Sequence, residues 1–438
     1  PLKATKSSHW ITMRCLPSAT GGRHRIVIQC EDFVAFNGKQ LSAGGGSKTA
    51  FRMNPGEIPT EWAVPGAEVH IFQSGSCRAF KEIVSLESID PQTGLVRVSG
   101  PECVAPLGLG DRFFIENVPQ VLDAPGEWYL DTHSGELTVI PPADAKVNSE
   151  YVAPVTGRIF EFAGEQGRPV EHVTLRGLTL TVSEYTPDDG CGGYGMGNNG
   201  AVYLAHARHC AIVDCQFLGL GRYAVCINGG GDNRVSYCHI ADSAQGGVLI
   251  LDSARNEVSD CHIHDCGAIY KHIGGVVLQG AGTDDNLVAH NWIHDMSRYG
   301  ITIKNGGLRN IIEFNRVERT NLETYDTGGI EVTQHDPQLR SGSIIRNNVV
   351  GDTIGYSSRF TEPLYLSWAI YLDSYAGGYT VENNICYRTS HGGIMLQGGK
   401  GNVVRNNIFV EATVCQMLFA NFRQNFEDEV VERNIVYW

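Results

Sequence analysis

The chain has 438 residues, of which 42% are hydrophobic, and its formal net charge is -14. The length allows one large domain or two to three ordinary ones, and the apolar content is sufficient for a core. The negative charge without a block of Lys or Arg, and the lack of an apolar run of about 18 residues, argue against nucleic acid or a membrane as partner.

The N-terminal part is predicted to contain two pieces. The first residues, PLKATKSSHW, read as the interior of a domain, so we expect the natural chain to begin earlier, and secretion stays open. Residues 1–47 are predicted to be early coils of the repeat described next, since RHRIVIQCEDF (23–33) alternates like a strand. Residues 48–152 hold short strand-like runs separated by DPQTG, DAPGE and DTHSGE. Such turns predict an inserted antiparallel β module.

Residues 153–438 contain an internal repeat that recurs as closely as every 23 residues. The copies are HVTLRGLT (172–179), CAIVDCQF (210–217), NRVSYCHI (233–240), NEVSDCHI (256–263), NLVAHNWI (286–293), NIIEFNRV (310–317), SIIRNNVV (343–350), YTVENNIC (379–386), NVVRNNIF (402–409) and EVVERNIV (429–436). Asparagine occupies the sixth position of the last six copies. These residues are Asn291, Asn315, Asn348, Asn384, Asn407 and Asn434.

Such a column of asparagines has two physical explanations. Asn tolerates the left-handed backbone of a sharp bend, and stacked Asn side chains can hydrogen-bond from one coil to the next. The column therefore predicts an all-β fold, a right-handed parallel β-helix with the antiparallel module inserted near its N-terminus.

Cysteines continue the asparagine column in the earlier copies, at Cys215, Cys238 and Cys261. Stacked strands lie about 4.8 Å apart, whereas a disulfide prefers Cβ atoms about 3.8 Å apart, so we interpret these residues as buried free thiols. No metal site or other cofactor is predicted. Free thiols favour a reducing compartment such as the bacterial cytoplasm over secretion.

A second strand recurs before each copy. Its examples are AVYLA (201–205), AVCIN (224–228), GVLIL (247–251), GVVLQ (275–279), GITIK (300–304), GIEVT (329–333), AIYLD (369–373) and GIMLQ (393–397). The second and fourth residues are always Val, Ile or Leu, so they face the core, and the third and fifth face outward. The outward positions hold only three charged residues, Lys304, Glu331 and Asp373, on consecutive coils. A solvated face would carry more charge, so this face is predicted to be a substrate cleft.

Glu331 and Asp373 are the first candidates for catalysis. They fall on neighbouring strands with an offset of two residues, which places their Cα atoms roughly 8 Å apart. Their carboxyl groups can then adopt either separation used in glycoside hydrolysis, and Lys304 would keep a neighbouring carboxylate ionised. Two alternatives are an ion-pair ladder with Lys304 and a role for Asp373 as the first residue of a turn.

Other residues near these strands are candidates too. Asp326, in YDTGGIE, could supply a third carboxylate or be a turn residue, and Asp336, in TQHDP, follows the same strand. The candidate substrate-binding residues are Lys304, His335, Trp368, Tyr371, Gln397, His391 and Gln279. For the two histidines, the alternative is that they are ordinary loop residues. Trp368 could stack on a sugar face.

Three stretches carry a resemblance to a known group. DRFFIENVPQVLDAPGEWYLDTHSGELTVIPP (111–142), DTGGIEV (326–332) and SWAIYLDSYAGGYTVENNI (367–385) resemble bacterial right-handed β-helix carbohydrate enzymes, nearest to glycoside hydrolase family 141 and more distantly to family 120. The resemblance implies a fucosidase-, xylosidase- or xylanase-like activity and places Asp373 at the acid of the "YLD" strand. Relatives often carry tyrosine at the position of Glu331, which leaves the second acid open among Glu331, Asp326 and Asp336.

The leading hypothesis is therefore a glycoside hydrolase acting on a plant or host polysaccharide or oligosaccharide. A polysaccharide lyase on the same fold is the first alternative, but Lys304 would be its only outward base, and no acidic cluster for calcium is evident. A non-catalytic carbohydrate-binding β-helix is the second alternative, but it would need aromatic stripes that two outward tyrosines do not make.

Overall fold

A computed structural model describes residues 47–72, 81–100, 102–107, 111–131, 133–143, 145, 152–185, 195–355 and 366–438. The predicted early coils at 1–47 lie outside the described residues apart from Ser47. The chain divides into two compact units, and the change between them falls between Val155 and Thr156. Among the described residues no helix is long and apolar enough to cross a membrane.

The first unit contains an antiparallel sheet. Its strands, in sheet order, are Ala50–Arg52, Leu95–Ser99, Glu82–Asp90, Glu68–Phe72 and Arg112–Glu116. In Leu95–Ser99, Val96 and Val98 are buried while Arg97 between them and Ser99 after them are exposed, as alternation along a strand requires. The predicted antiparallel module is thus present near the N-terminus.

A hairpin follows that sheet in the chain. Trp128–Asp131 pairs with Glu136–Val139 across the predicted DTHSGE turn. Asp131 closes this turn, because its Oδ1 accepts the backbone N–H groups of His133 at 2.8 Å and Ser134 at 3.3 Å. The helices in the described residues are three short 3₁₀ turns, Thr60–Trp62, Pro119–Val121 and Phe422–Gln424.

The second unit is a right-handed β-helix made of three parallel sheets of ten strands each. Sheet A contains Phe160–Ala163, Gly200–Ala205, Tyr223–Asn228, Val248–Leu251, Gly274–Gln279, Tyr299–Lys304, Thr327–Gln334, Ser367–Ser374, Gly392–Leu396 and Cys415–Phe419. Sheet B contains Thr174–Arg176, Ala211–Val213, Arg234–Ser236, Glu257–Ser259, Leu287–Ala289, Ile311–Glu313, Ile344–Arg346, Thr380–Glu382, Val403–Arg405 and Val430–Glu432. Sheet C contains Thr179–Thr181, Gln216–Leu218, His239–Ala241, His262–His264, Trp292–His294, Arg316–Glu318, Val349–Gly351, Ile385–Tyr387, Ile408–Val410 and Ile435–Tyr437. Two short parallel pairs, Val170–Glu171 with Ala207–Arg208 and Gly399–Lys400 with Phe426–Glu427, extend the coils.

The core lies inside the coils, where sheet A contributes two rows of aliphatic side chains and sheets B and C contribute one row each. In one coil these are Ile330 and Val332 from sheet A, Ile345 from sheet B and Val350 from sheet C, all fully buried. Each such side chain contributes about 1.5–3 kcal/mol through removal of its apolar surface from water. The inward positions predicted from the repeat are therefore correct, and they fix which residues of sheet A face outward.

The predicted asparagine ladder is present beside sheet B. The side-chain amide of Asn291 donates to Asn315 Oδ1 at 3.0 Å, and the same contact recurs along the stack to Asn434. The expected left-handed backbone, however, belongs to the residue before each ladder asparagine, such as Asn347 before Asn348. The ladder residue must direct its amide along the stack, so its predecessor takes the bend. This division of roles explains the Asn-Asn pairs in the sequence.

A second ladder uses the first residue of the same repeat. Asn233, Asn256, Asn286 and Asn310 are buried, and each of the first three donates its amide to the next at 3.0–3.1 Å. Cys215, Cys238 and Cys261 are buried free thiols, as predicted.

Candidate active site

The candidate active site lies on the outer face of sheet A, where three adjacent strands bring the predicted charges together. Lys304 pairs with Thr333, and Thr333 pairs with Asp373. Glu331 pairs with Tyr371, so the two-residue offset between Glu331 and Asp373 is as predicted.

The two outward columns differ in exposure. The third-position residues are buried, with Glu331 2% and Tyr371 3% exposed. The fifth-position residues Thr333 and Asp373 are half-buried. Thr333 and Asp373 are therefore accessible from outside, whereas Glu331, Tyr371 and the fifth-position Lys304 are buried.

Lys304 and Glu331 form a buried ion pair. Lys304 Nζ also donates to Thr333 Oγ1 at 2.7 Å and lies 4.3 Å from the centre of the Tyr299 ring, while Glu331 Oε2 accepts the backbone N–H of Gly328 at 3.1 Å. Burial is the largest single influence on Lys304 and lowers its pKa, but the charge of Glu331, the nearby Tyr299 and the hydrogen bond to Glu331 together outweigh burial, so the pKa is raised overall. Lys304 and Glu331 therefore form an ion pair, but it is buried rather than part of a ladder on a solvated face, and no ion pair of Asp373 is found among the described residues.

Thr333 connects the ion pair to Asp373. Its hydroxyl oxygen lies 3.2 Å from Glu331 Oε1 and 3.3 Å from Asp373 Oδ2, so those two carboxylate oxygens are at most 6.5 Å apart. The hydroxyl has one hydrogen and can donate to one carboxylate at a time. A change in the charge of either carboxylate is therefore transmitted to the other.

Asp373 combines burial with hydrogen-bond donors. Burial and the charge of Glu331 raise the pKa of Asp373, while Lys304 and the hydroxyls of Ser374 and Tyr371 oppose that rise. The carboxyl is thus ionised less readily than an exposed aspartate. The Tyr371 and Ser374 hydroxyls stabilise its anionic form once it is ionised.

Asp326 is the third carboxylate of the site. It has a left-handed backbone (φ 57°) immediately before strand Thr327–Gln334, and its carbonyl oxygen accepts a hydrogen bond from Arg298 Nη2 at 3.0 Å. Burial, together with the negative charges of Asp373 and Glu331, raises the pKa of Asp326 to about 6. Asp326 therefore has a property of a general acid, since it keeps its proton up to about pH 6, well above the range of an ordinary aspartate.

His335 and Asp336 lie in the loop that directly follows strand Thr327–Gln334. Both are exposed, and their backbone N–H groups donate to Gln334 Oε1 at 2.8 and 3.0 Å. The Asp336 carboxylate accepts the N–H of Gln338 at 2.8 Å, which is the hydrogen bond of a turn. These contacts identify Asp336 as a turn residue and give it no described link to the three carboxylates.

Trp368 is fully buried. Its ring centre lies 4.4 Å from that of His391 and 6.2 Å from that of Tyr371. This burial contradicts the expectation that Trp368 stacks on a sugar, because the ring has no free face, and its packing supports Tyr371. His391 is buried as well, and burial lowers its pKa.

The two candidate glutamines flank the charged residues. Gln397 Oε1 accepts the backbone N–H of Ser374 at 3.4 Å, next to Asp373. Gln279 pairs with Lys304, and its buried Oε1 has no hydrogen-bond partner among the described residues.

Thr333, Arg298 and Tyr299 were not predicted as site residues. Thr333 stands in the outward column of the repeat, which was the available signal. Arg298 directly precedes strand Tyr299–Lys304 and Tyr299 begins it, upstream of the repeated residues 300–304, so the repeat does not encode their positions.

The comparisons with known proteins agree on the fold. A family model described as "Right handed beta helix region" matches residues 200–364. No curated protein matches the sequence.

Solved structures are similar to this chain at low identity. One described as "Glycoside hydrolase" is 17% identical with a TM-score of 0.62 and covers 90% of this chain and 70% of its own. "The complex structure of XylC with xylose" is 11% identical with a TM-score of 0.45 over 90% of this chain and 74% of that one. An alginate lyase from Paenibacillus sp. str. FPU-7 is 16% identical with a TM-score of 0.37 over 59% of this chain and 84% of that one. The first likeness shows that the chain has the right-handed β-helix fold.

Proposed function

We propose that the chain is a glycoside hydrolase in which Asp326 and Asp373 form the catalytic pair. The observation that carries this proposal is that Asp326, immediately before strand Thr327–Gln334, and Asp373, on the next strand of sheet A, are half-buried carboxyl groups whose pKa values are raised by burial and by neighbouring negative charge. A glycosidase needs one carboxyl that is protonated and one that is ionised, and neighbouring acids divide into these two roles.

The surroundings of each aspartate assign its role. Asp326, with a pKa of about 6, is the general acid that protonates the leaving oxygen. Asp373 is the base or nucleophile, since the hydroxyls of Tyr371 and Ser374 stabilise its anion. Glu331 is too buried to touch a substrate and acts through its charge, which Lys304 holds in place.

A neutral glycoside is the substrate class that this site favours. Three carboxylates stand against two buried cations, Lys304 and Arg298, both of which already contact protein groups. An anionic sugar would add repulsion to this group of carboxylates. The resemblance to glycoside hydrolase family 141 supports fucosides and xylosides as the first substrates to test.

A polysaccharide lyase is less well supported. Lys304 would have to neutralise a uronate or remove a proton, yet it is paired with Glu331, and the pairing raises its pKa. A lyase would generate an unsaturated product that absorbs in the ultraviolet, so the absorbance of the digest separates the two reactions.

The test is a comparison of Asp326→Asn and Asp373→Asn on aryl fucosides, xylosides, galactosides and arabinosides. Asp326→Asn should lower kcat/KM about 10²- to 10⁴-fold on poor leaving groups and far less on a dinitrophenyl glycoside, which needs no acid. Asp373→Asn should lower turnover on both. Asp336→Asn is the matched control, and its kcat/KM should equal that of the wild type on every substrate. Wild-type turnover by Asp373→Asn would reject this pair.

A further inference from the structure

Sheet C carries a group of histidines far from the chemistry proposed for sheet A. The His cluster consists of His239, His262, His264 and His294 on the strands His239–Ala241, His262–His264 and Trp292–His294. His239 pairs with His262, and His264 pairs with His294. Residues two apart on a strand share a face, and Ile263 between them is fully buried. The four rings therefore stand together on the outer surface.

The imidazole nitrogens of the His cluster converge. The ligand nitrogens of His239, His262 and His264 all lie within 4.8 Å of one another. Nε2 of His239 lies 2.8 Å from Nε2 of His264, and Nε2 of His262 lies 2.7 Å from Nε2 of His294. A hydrogen bond between two ring nitrogens requires that one of them has no proton. Each close pair therefore directs at least one nitrogen lone pair into the cluster.

Two carboxylates determine which ring nitrogen of His264 and His294 keeps its lone pair. Asp265 Oδ2 lies 2.7 Å from His264 Nδ1, and Asp295 Oδ2 lies 2.6 Å from His294 Nδ1. Since these oxygens accept, Nδ1 carries the proton and Nε2 keeps its lone pair. Arg319 donates twice to Asp295, at 2.8 and 2.9 Å, and holds it in position. A carboxylate behind the distal nitrogen is the arrangement that orients metal-binding histidines.

Ring stacking alone does not account for this arrangement. His262 stacks on Trp292 at 4.4 Å and 3°, and His264 stacks on His294 at 4.9 Å and 5°. Stacking sets the planes of the rings. It does not require Nε2 atoms from different stacks to meet, nor a carboxylate behind two of the rings.

We propose that His239, His262 and His264 bind a divalent transition-metal ion of the Zn²⁺ class through Nε2, with His294 as the next donor. Imidazole is a preferred ligand of such ions. Zn–N bonds of about 2.0–2.1 Å in tetrahedral geometry place ligand nitrogens about 3.4 Å apart. The 2.8 Å between Nε2 of His239 and Nε2 of His264 is shorter than this value, and all three ligand nitrogens lie within 4.8 Å of one another, so ring rotations that separate the close pair would give the ligand spacing. The ion would join two successive coils, and a third through His294, on a sheet separate from the candidate active site.

The test uses the full chain without a histidine tag, stripped with EDTA and titrated with ZnCl₂ at pH 7.5 by calorimetry. Wild type should bind one Zn²⁺ per chain. His262→Asn and His264→Asn should each weaken binding at least ~10-fold, because each removes a ligand. His290→Asn is the control, since that ring is exposed and stacks on Phe314 away from the cluster.

A second variant keeps all four rings. Asp265→Asn should weaken Zn²⁺ binding ~10- to 100-fold, since it removes the acceptor that orients His264. Circular dichroism of each metal-free variant establishes that it folds. Absence of Zn²⁺ binding by wild type, or wild-type affinity in both His264→Asn and Asp265→Asn, would overturn the proposal, whatever the result on glycosides.

Discussion

Lys304 and Glu331 form a buried ion pair on neighbouring strands. Thr333, the strand partner of Lys304, is in turn the strand partner of Asp373. A buried pair of this kind contributes little net stability, because both ions lose their hydration. Its value here is electrostatic. The charge of Glu331 raises the pKa of Asp326 and Asp373, and Lys304 limits that rise.

Removal of one partner should be costly. Lys304→Met leaves Glu331 buried without its cation and is expected to lower the free energy of unfolding by about 3–5 kcal/mol. Urea denaturation measures this. The double variant Lys304→Met/Glu331→Leu should recover most of the loss, and a single variant as stable as wild type would contradict the pairing.

The charge of Glu331 should be visible in the pH dependence of kcat/KM. Asp326 must be protonated as the acid, so activity is expected to fall as the pH rises through about 6. Glu331→Gln removes a charge that raises the pKa of both aspartates, so both limbs of the profile should move to lower pH. An unchanged profile would show that Glu331 does not act on the pair.

Tyr371→Phe should move the acidic limb of the pH profile of kcat/KM in the direction opposite to that expected for Glu331→Gln. The Tyr371 hydroxyl stabilises the Asp373 anion, so its loss raises the pKa of Asp373 and moves the acidic limb to higher pH. The phenylalanine ring keeps the packing against Trp368. A shift in the same direction as that of Glu331→Gln would argue against this hydrogen bond.

Adjacent asparagines should respond differently to substitution. Asn348→Ala removes an amide that bonds to both Asn315 and Asn384 inside the ladder and should destabilise the chain by about 3 kcal/mol. Asn347→Gly should be neutral or slightly stabilising, because glycine adopts the left-handed backbone (φ 57°) more easily. Chemical denaturation of the two variants measures the difference.

The repeat allowed the fold and the register of the site to be predicted from the sequence. Aliphatic residues at alternating positions, such as Ile330 and Val332, determine which neighbours face outward. The offset between Glu331 and Asp373 followed from that pattern because strands stack in register from coil to coil.

The partner of Asp373 and the role of Trp368 could not be predicted in the same way. Both depend on local geometry that the repeat does not encode: Asp326 takes a left-handed backbone before its strand, and the ring of Trp368, near the start of strand Ser367–Ser374, is buried next to Tyr371. The His cluster was missed for another reason. Its members are spread over three repeats and become neighbours only once the insertions between the coils are discounted.

The asparagine ladders also give the β-helix a direction. From Asn291 to Asn407 every side-chain amide donates toward the C-terminal coil, and the second ladder, from Asn233 to Asn286, points the same way. The aligned amide dipoles add along the axis, and each bond polarises the next. The ladders are thus rows of aligned amide dipoles. A substitution in one coil weakens the asparagine hydrogen bonds of the coils on either side of it.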